Sequence, residues 1–310
     1  MVAVRRHSTS YAAGAMLALP PPLAPGDRVA IVAPSSPFPR EDLLRGLAWL
    51  RQRYCLRIGP GILSRDAFLA GSDARRAEEL GQAMKDPEVK AIVAARGGYG
   101  AIRIVDALPW DELVRRPKWL VGFSDVTVLH AMAWRCGVAS VHGPNVTGLG
   151  RDATPAIRAR WLASVERPRS PHIWDGLRVL RSGTARGLVV GGNLSLVHAM
   201  AAAGRLVVPE GAVLVLEDVT ESPYRIDRML TSLRLGGHLA RVSGLVFGGF
   251  DRCSPGADGR TADEVIEERT RDLGVPVLAG APFGHGLHNE AFILGCTGRI
   301  ERDALLFGCD

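Results

Sequence analysis

Residues Lys118–Trp134, KWLVGFSDVTVLHAMAW, predict a β-strand that turns sharply into an α-helix. The apolar run 119–121 leads into a Gly-Phe-Ser-Asp corner, and apolar residues then follow at three-to-four spacing. Such a corner exposes its side chains and directs the free N–H groups of the helix toward whatever binds there. Ser124 is therefore a candidate nucleophile. The alternative is that Ser124 or Asp125 only caps the helix, the commoner role of these residue types.

The same alternation of strands and helices extends from Val29 to Val141 and predicts a parallel sheet with helices on its faces. One apolar strand in this half ends in the loop Ala33–Pro37, and another ends in the loop Arg96–Gly100. Loops at the carboxyl ends of parallel strands border the ligand crevice of open α/β sheets. From Gly187 onward the pattern changes to short strands broken by glycines. We therefore predict an α/β protein whose C-terminal domain is α+β and rich in short strands.

Changes in composition divide the chain into four segments. Residues 1–22 contain a run of small residues and three consecutive prolines, which predict a disordered extension. A secretory signal is the alternative, although it would require a longer and more hydrophobic middle. Residues 23–165 are predicted to form the N-terminal α/β domain that carries the candidate nucleophile. Prolines then interrupt the periodicity, so residues 166–186 are predicted to be a linker before the C-terminal domain, 187–310.

The composition is that of a globular protein and argues against several classes of partner. The 310 residues are 47% apolar and 23% charged, with a net charge of +6. No cationic cluster alternates with aromatic residues, which make up 6% of the chain, so we predict no nucleic-acid partner. No apolar run approaches the roughly 20 residues of a membrane helix, so we predict no membrane span. The mild positive charge favours anionic small substrates.

The five cysteines are scattered, and none lies at CxxC or Cys/His ligand spacing. This pattern predicts neither a disulfide framework nor a zinc site, and it fits a reducing compartment.

The loop Arg96–Gly100, RGGYG, lies between a predicted strand and a predicted helix. Paired glycines at such a place let the backbone approach a ligand and present bare N–H groups to it. The spacing matches neither GxGxxG nor GxxxxGK[ST], so no dinucleotide or Walker site is predicted. The loop predicts anion or oxyanion binding, and a plain tight turn is the alternative.

A serine nucleophile needs a base, and the base needs an orienting carboxylate. Glu217 ends an apolar strand, and a carboxylate there is desolvated unless it meets a partner. His285 lies between two glycines, in a turn that would open to a cleft. Together with Ser124 they predict a Ser-His-Glu hydrolase. His288 remains an alternative base, and Ser195, which follows Gly-Gly-Asn, is interpreted as a helix cap.

Eight blocks of sequence, in order along the chain, are similar to the serine LD-carboxypeptidase family, which comprises muramoyltetrapeptide carboxypeptidases and related microcin-immunity peptidases. The blocks are PGDRVAIVAPSSP (Pro25–Pro37), FLAGSDARRAEEL (Phe68–Leu80), AIVAARGGYGAIRIVD (Ala91–Asp106), KWLVGFSDVT (Lys118–Thr127), HGPN (His142–Asn145), GGNLSL (Gly191–Leu196), LVLEDVTESPYRIDR (Leu214–Arg228) and FGHG (Phe283–Gly286).

The resemblance implies a cytoplasmic enzyme of two domains, commonly a homodimer, that needs no metal or cofactor. Such an enzyme removes the terminal D-alanine from an L,D-linked murein tetrapeptide during cell-wall recycling. The family's nucleophile corresponds to Ser124, its glutamate to Glu217 and its histidine to His285. Its oxyanion donors are backbone N–H groups, which correspond to Asp125 and Gly98.

The resemblance has three departures, none of which affects the triad. Residues 1–22 lie outside the family pattern, Gly204-Arg205 replaces a usual Gly-Thr, and Ile293 replaces a proline common before Leu-Gly. Two other functions stay open. One is a detoxifying amidase of the same design that cleaves peptidyl-nucleotide conjugates, and the other is a non-catalytic module that binds anions or peptides.

A carboxypeptidase must also bind the terminal carboxylate of its substrate. The sequence offers the loop amides and four candidate side chains for substrate binding, and it does not choose among them. The candidate side chains are Ser72, Arg96, Tyr99 and Arg225.

Overall fold

The computed structural model describes residues 17–151 and 153–308, which form two β-sheets with flanking helices. The strands are β1 Arg28–Val32, β2 Cys55–Ile58, β3 Val89–Ala94, β4 Trp119–Gly122, β5 Ser140–His142, β6 His172–Trp174, β7 Arg178–Arg181, β8 Thr184–Asn193, β9 Ala212–Val219, β10 Val242–Asp251, β11 Val277–Ala279, β12 Phe292–Leu294, β13 Thr297–Glu301 and β14 Ala304–Gly308. The α-helices are α1 Arg40–Arg51, α2 Asp73–Lys85, α3 Ala101–Ile104, α4 Trp110–Arg115, α5 Thr127–Arg135, α6 Val146–Arg151, α7 Pro155–Glu166, α8 Leu194–Ala202, α9 Pro223–Leu235 and α10 Ala262–Thr270. Short 3₁₀ turns occupy Val105–Ala107, Ser124–Val126 and Leu239–Arg241.

The first sheet confirms the predicted parallel arrangement. Its strand order is β12-β5-β4-β3-β1-β2, and the five strands from the N-terminal half pair in parallel. Strands β1, β3, β4 and β5 are largely apolar and buried, because helices cover the sheet on each side, whereas the edge strand β2 is partly exposed. The sixth strand, β12, comes from the C-terminal half and pairs antiparallel with β5. The two halves of the chain therefore share a sheet.

The second sheet is mixed, with strand order β6-β14-β13-β8-β9-β10-β11-β7. Its centre, β8-β9-β10-β11, is parallel, and antiparallel strands flank it. Strands β8 and β10 are 10 residues long, longer than the glycine-broken pattern predicts. Gly187 and Gly191 lie inside β8, where the neighbouring strand leaves no room for a side chain. A Cβ at Gly187 would lie 1.8 Å from a carbonyl oxygen of that neighbour, and a Cβ at Gly191 would lie 1.9 Å from another. These glycines permit close strand contact and do not end the strand.

The stretch 166–186, predicted to be a linker, contains two strands. Residues 172–174 form β6 and residues 178–181 form β7, which lie at opposite edges of the second sheet. The nearby prolines therefore mark turns between ordered elements, and the prediction of a linker was wrong over these two strands.

Residues 17–22, the end of the predicted disordered extension, pack against the first sheet, so the prediction was wrong over them. Leu17 is 4% exposed, and Ala18 forms a parallel bridge with Val138. The indole N–H of Trp119 donates to the Pro21 carbonyl at 2.9 Å. An apolar side chain and a buried donor thus hold this segment in place. The rest of the extension, residues 1–16, lies outside the described residues.

Buried apolar side chains from both sheets belong to one contacting core. Within the described ranges, no helix is long and apolar enough to cross a membrane. The cysteines among them, at 55, 136, 253 and 296, are free thiols.

Candidate active site

The corner at Ser124 has the backbone of a strained strand-to-helix turn. β4 ends at Gly122, Phe123 is extended, and Ser124 has φ of +63° at the start of the 3₁₀ turn that leads into α5. A positive φ costs a serine on the order of 1–3 kcal/mol, so the surrounding structure must hold it. Nucleophilic serines sit on strained turns of this kind, where the side chain projects from the corner. The structure therefore places Ser124 at the strand-to-helix turn that the sequence pattern predicts.

The glycine loop packs directly on this corner. A Cβ at Gly97 would lie 2.7 Å from the Ser124 Cβ, and one at Gly98 would lie 2.5 Å from the Ser36 Oγ. Gly98 has φ of +103°, a conformation that favours glycine. The N–H of Tyr99 donates to the Ser36 Oγ at 3.0 Å. Gly97 is thus needed so that the loop backbone can approach Ser124, and Gly98 is needed so that it can approach Ser36.

The side chain of Asp125 turns inward from the corner. It is fully buried, and its Oδ2 accepts a 2.8 Å hydrogen bond from the N–H of Ala101. Burial raises the pKa of the Asp125 carboxyl, while the hydrogen bond from Ala101 and the charge of Arg76 oppose that rise. The backbone N–H of Asp125 remains at the corner, beside the nucleophile.

Glu217 and His285 form a hydrogen-bonded pair at the carboxyl end of β9. Glu217 is fully buried, and its Oε2 lies 2.7 Å from the Nδ1 of His285. With an ionised carboxylate, Nδ1 must carry the proton, which leaves Nε2 as the basic nitrogen. His288, the alternative base, is exposed, and the Glu217 carboxylate is hydrogen-bonded to His285.

Electrostatics couple the two groups. Burial raises the pKa of Glu217, and its bond to His285 opposes this shift. Burial alone would lower the pKa of His285, but the bond to Glu217 and the charges of Asp218 and Asp251 raise it above its usual 6.5. The imidazolium form is therefore stabilised at this position.

The glycines on either side of His285 allow its close approach to acidic residues. A Cβ at Gly284 would lie 3.2 Å from the Glu217 Oε2, and one at Gly286 would lie 2.4 Å from an oxygen of Asp251. The Gly-His-Gly pattern is thus a packing requirement of the pair.

Phe123 brings the pair to the serine corner. Its ring centroid lies 4.9 Å from that of His285, and Phe123 directly precedes Ser124 in the chain. Serine, histidine and glutamate therefore lie at one junction of the two sheets. The described residues include no hydrogen bond between the Ser124 hydroxyl and the His285 ring.

Two other polar residues, His142 and Ser195, have structural roles. His142 is fully buried among the rings of Phe123, Phe283 and Phe292, and burial lowers its pKa well below 6.5. Ser195 donates its hydroxyl to Asp218 at 2.7 Å. The cap of α8 is the preceding asparagine, at position 193, so the interpretation of Ser195 as the cap was wrong.

Comparison with known proteins shows the family of this chain. The sequence profile of the LD-carboxypeptidase N-terminal domain matches residues 29–143, and that of the C-terminal domain matches residues 186–300. A putative carboxypeptidase of Synechocystis is 37% identical over 92% of this chain and 95% of that protein. The murein tetrapeptide carboxypeptidase of Pseudomonas aeruginosa is 33% identical over 90% of this chain and 94% of its own length.

The chain belongs to the LD-carboxypeptidase family. Its fold agrees, since the crystal structure of muramoyltetrapeptide carboxypeptidase from Oxalobacter formigenes matches with a TM-score of 0.82 at 27% identity. That match covers 91% of this chain and 98% of the other. The resemblance inferred from sequence is confirmed, and the protein is a peptide hydrolase of the serine LD-carboxypeptidase type.

The residues predicted to bind substrate occupy different places in this LD-carboxypeptidase. The Ser72 hydroxyl caps α2 by accepting from the Arg75 N–H at 3.3 Å. Arg96 is exposed and donates to the carbonyl of Pro37. Arg225 is exposed on α9, and its Nε donates to the neighbouring tyrosine hydroxyl at 3.2 Å.

Tyr99 lies on the exposed side of the glycine loop. It is 46% exposed, and its ring centroid lies 5.8 Å from that of Phe68, itself 59% exposed. The pair presents an aromatic surface beside the loop that contacts Ser124.

A cleft opens beside His285 of this LD-carboxypeptidase. It is bordered by Phe123, by the loop that contains His285, and by α6 and α7, which contribute Arg151 and Ile157. Sequence analysis did not select Arg151, because it falls where the periodicity breaks down.

Arg76 is the other residue that sequence analysis missed. It is fully buried on the apolar face of α2, where Leu80 and Met84 follow at helical spacing. An arginine in register with an apolar stripe is a signal for a buried cation that is paired with other groups. Within the described residues, no cluster of three or more His, Cys, Asp or Glu could hold a metal ion.

Proposed function

We propose that this LD-carboxypeptidase hydrolyses the L,D-peptide bond before the terminal D-alanine of murein tetrapeptide, using Ser124, His285 and Glu217. The observation that carries the proposal is the 2.7 Å hydrogen bond between His285 and the buried Glu217, placed beside the strained corner at Ser124. The name of the Pseudomonas relative supports the choice of substrate.

In the first half-reaction, the Ser124 Oγ attacks the scissile carbonyl carbon while the Nε2 of His285 takes the hydroxyl proton. The carbonyl oxygen becomes an oxyanion, which the N–H groups of Asp125 and Gly98 bind. The C–N bond then breaks as Nε2 returns the proton to the leaving amine of D-alanine. An acyl-serine remains.

In the second half-reaction, a water molecule attacks the acyl-serine. His285 takes a proton from the water and returns it to the Ser124 Oγ as the C–O bond breaks. Glu217 holds the imidazole in the required tautomer and stabilises its charged form in both steps. The nucleophile and base need to come within hydrogen-bond reach, and such contacts commonly tighten only in the substrate complex.

We further propose that the enzyme acts in the cytoplasm on murein fragments, as a homodimer and without a metal or cofactor. The free cysteines of the described chain suit a reducing compartment. Sedimentation of the purified protein tests the dimer, and full activity in excess chelator tests independence from metal.

The triad is tested by measuring D-alanine release from murein tetrapeptide. Loss of a nucleophile typically lowers kcat by roughly six orders of magnitude, so Ser124→Ala should be inert although folded. Ser195→Ala is the matched control and should retain activity, because the Ser195 hydroxyl is held by Asp218. Undiminished release by Ser124→Ala would overturn the assignment, as would equal turnover of a peptide that ends in L-alanine.

A second candidate is the amidase that cleaves peptidyl-nucleotide conjugates. The exposed rings of Phe68 and Tyr99 favour it, because a base can stack on such a surface. Assaying murein tetrapeptide and a peptidyl-nucleotide conjugate side by side distinguishes the carboxypeptidase from the amidase. Faster turnover of the nucleotide conjugate, lost in Tyr99→Ala, would select the amidase.

A further inference from the structure

The peptide bond between Gly100 and Ala101 is held from both sides by buried polar side chains. The Nη1 of Arg76 donates to the Gly100 carbonyl at 2.9 Å. The N–H of Ala101 donates to the Asp125 Oδ2 at 2.8 Å. Arg76 and Asp125 are both fully buried, so neither interaction is weakened by water. We call these two side chains the loop clamp.

The loop clamp ties together three segments beside the nucleophile. Besides Gly100, Arg76 donates to the carbonyls of Pro34 and Gly71 and pairs with Asp73. These groups belong to the loop after β1 and to the start of α2. One guanidinium therefore satisfies carbonyls of separate loops, an arrangement for which its planar fork is suited.

The local backbone is shaped to admit this guanidinium. Gly100 has φ of +126°, and a Cβ there would lie 2.9 Å from the Arg76 Nη1 and 2.6 Å from Leu69. The last glycine of the RGGYG loop is thus explained by the clamp. The first two, Gly97 and Gly98, are explained by Ser124 and Ser36.

The clamp connects the two N–H groups that would bind the oxyanion. One belongs to Gly98, two residues before the clamped peptide bond. The other belongs to Asp125, whose own side chain is half of the clamp. A shift of the Gly100–Ala101 peptide would therefore change the distance between the two donors. Oxyanion stabilisation depends on donors that are held in place before charge develops.

We propose that Arg76 and the side chain of Asp125 are positioning residues that fix the Gly98 loop against Ser124 and so preorganise the oxyanion hole. The inference rests on the proposed function, because it assumes that Ser124 is acylated. Neither side chain touches the substrate. Their effect is on the transition state, so weakening the clamp should lower kcat and leave KM near the wild-type value.

The test uses two conservative variants and one control in the full-length protein. Arg76→Lys keeps the charge and removes the fork that joins the loops. Asp125→Asn keeps the shape and removes the charge. The control is Arg103→Gln, since the side chain of Arg103 also pairs with Asp73, at 2.9 Å, but donates to no carbonyl of the glycine loop. The backbone N–H of Arg103 donates to the Gly100 carbonyl at 3.1 Å, and the substitution keeps this donor.

Two readouts are measured for each variant: steady-state release of D-alanine, and hydrogen–deuterium exchange of the amides in residues 96–101. Loss of one oxyanion donor typically lowers kcat by about 100-fold or more, so we expect the kcat of Arg76→Lys to decrease by a factor that approaches this value. Exchange in 96–101 should accelerate in both clamp variants and stay at the wild-type rate in Arg103→Gln. Asp125→Asn provides the same comparison if Arg76→Lys does not fold.

The outcomes separate this inference from the function on which it rests. Accelerated exchange together with a kcat loss at constant KM supports the clamp as a catalytic positioning device. Unchanged exchange, or accelerated exchange with wild-type kcat in a Ser124-dependent enzyme, overturns it. If wild-type protein releases no D-alanine while the clamp variants still loosen 96–101, the proposed function fails and the clamp's hold on the loop is supported.

Discussion

The Nδ1 of His285 lies 2.7 Å from the Oε2 of Glu217, and the two residues are 68 positions apart in the chain. The Glu217 carboxylate is fully buried and the His285 imidazole is 16% exposed, so the pair extends from the protein interior to the cleft. This relationship fixes which imidazole nitrogen is left to act as a base. It also determines how activity should respond to pH.

Activity of the wild-type enzyme should rise with pH along an acidic limb whose midpoint is above 6.5. The reason is that the charges near His285 raise its pKa, and only the neutral imidazole can accept the proton of Ser124. As pH falls through that raised pKa, the base becomes protonated and kcat/KM declines. A pH profile of kcat/KM measures the limb, and a midpoint below 6.5 would contradict the expected direction.

Glu217→Gln should lower kcat by about 10⁴-fold, because the amide no longer fixes the tautomer or stabilises the imidazolium. The acidic limb should also move to lower pH, since the main group that raises the pKa of His285 has lost its charge. Glu290→Gln is the matched control, because Glu290 bonds to His172 at 3.3 Å in a different histidine pair. If the acidic limb of the kcat/KM profile moved equally in both variants, the shift would not be due to the Glu217–His285 pair.

Gly97→Ala should impair the nucleophile without unfolding the protein. The new Cβ would lie 2.7 Å from the Ser124 Cβ, so the loop or the serine must move. Displacement by roughly 1 Å can cost about 100-fold in rate. The control is Gly256→Ala, where the nearest atom to a Cβ is an Asp258 oxygen at 3.5 Å. Wild-type kcat in Gly97→Ala would show that the loop does not constrain the serine.

Leu17→Ala should destabilise the fold by about 2 kcal/mol or more, as expected for removing a buried leucine side chain. Leu17 is 4% exposed and packs against Gly295, although the sequence predicted disorder at this position. Leu235→Ala, at an 83% exposed leucine, should change the unfolding free energy by about 0.5 kcal/mol or less. Urea denaturation compares the two, and equal midpoints would show that residues 17–22 do not contribute to stability.

Features set by neighbours along the chain were predictable from sequence. The strand, corner and helix around Ser124 follow from an apolar run, a glycine and helical spacing within 17 residues. The glycine loop Arg96–Gly100 was likewise recognised by its position after a buried strand. Parallel pairing in the first half followed from the alternation of elements, because consecutive parallel strands need a crossover.

Features that depend on distant partners were not predictable in this way. The strands in the predicted linker, β6 and β7, find their partners at opposite edges of a sheet whose other strands come later in the chain. β12 crosses to the first sheet because β5 offers it a free edge. Arg76 was missed because its significance lies in the carbonyls that it meets, which belong to other loops.

The sequence by itself determined the kinds of chemical group available and the local turns that expose them: a serine at a strained corner, glycines beside it, and a histidine between glycines. Tertiary structure decided which of these groups act together. It paired Glu217 with His285 and left His288 exposed, and it placed buried polar side chains on each side of the Gly100–Ala101 peptide. The physical reason is that hydrogen bonds and desolvation depend on distance in space, which residues far apart in the chain acquire only when both sheets have packed.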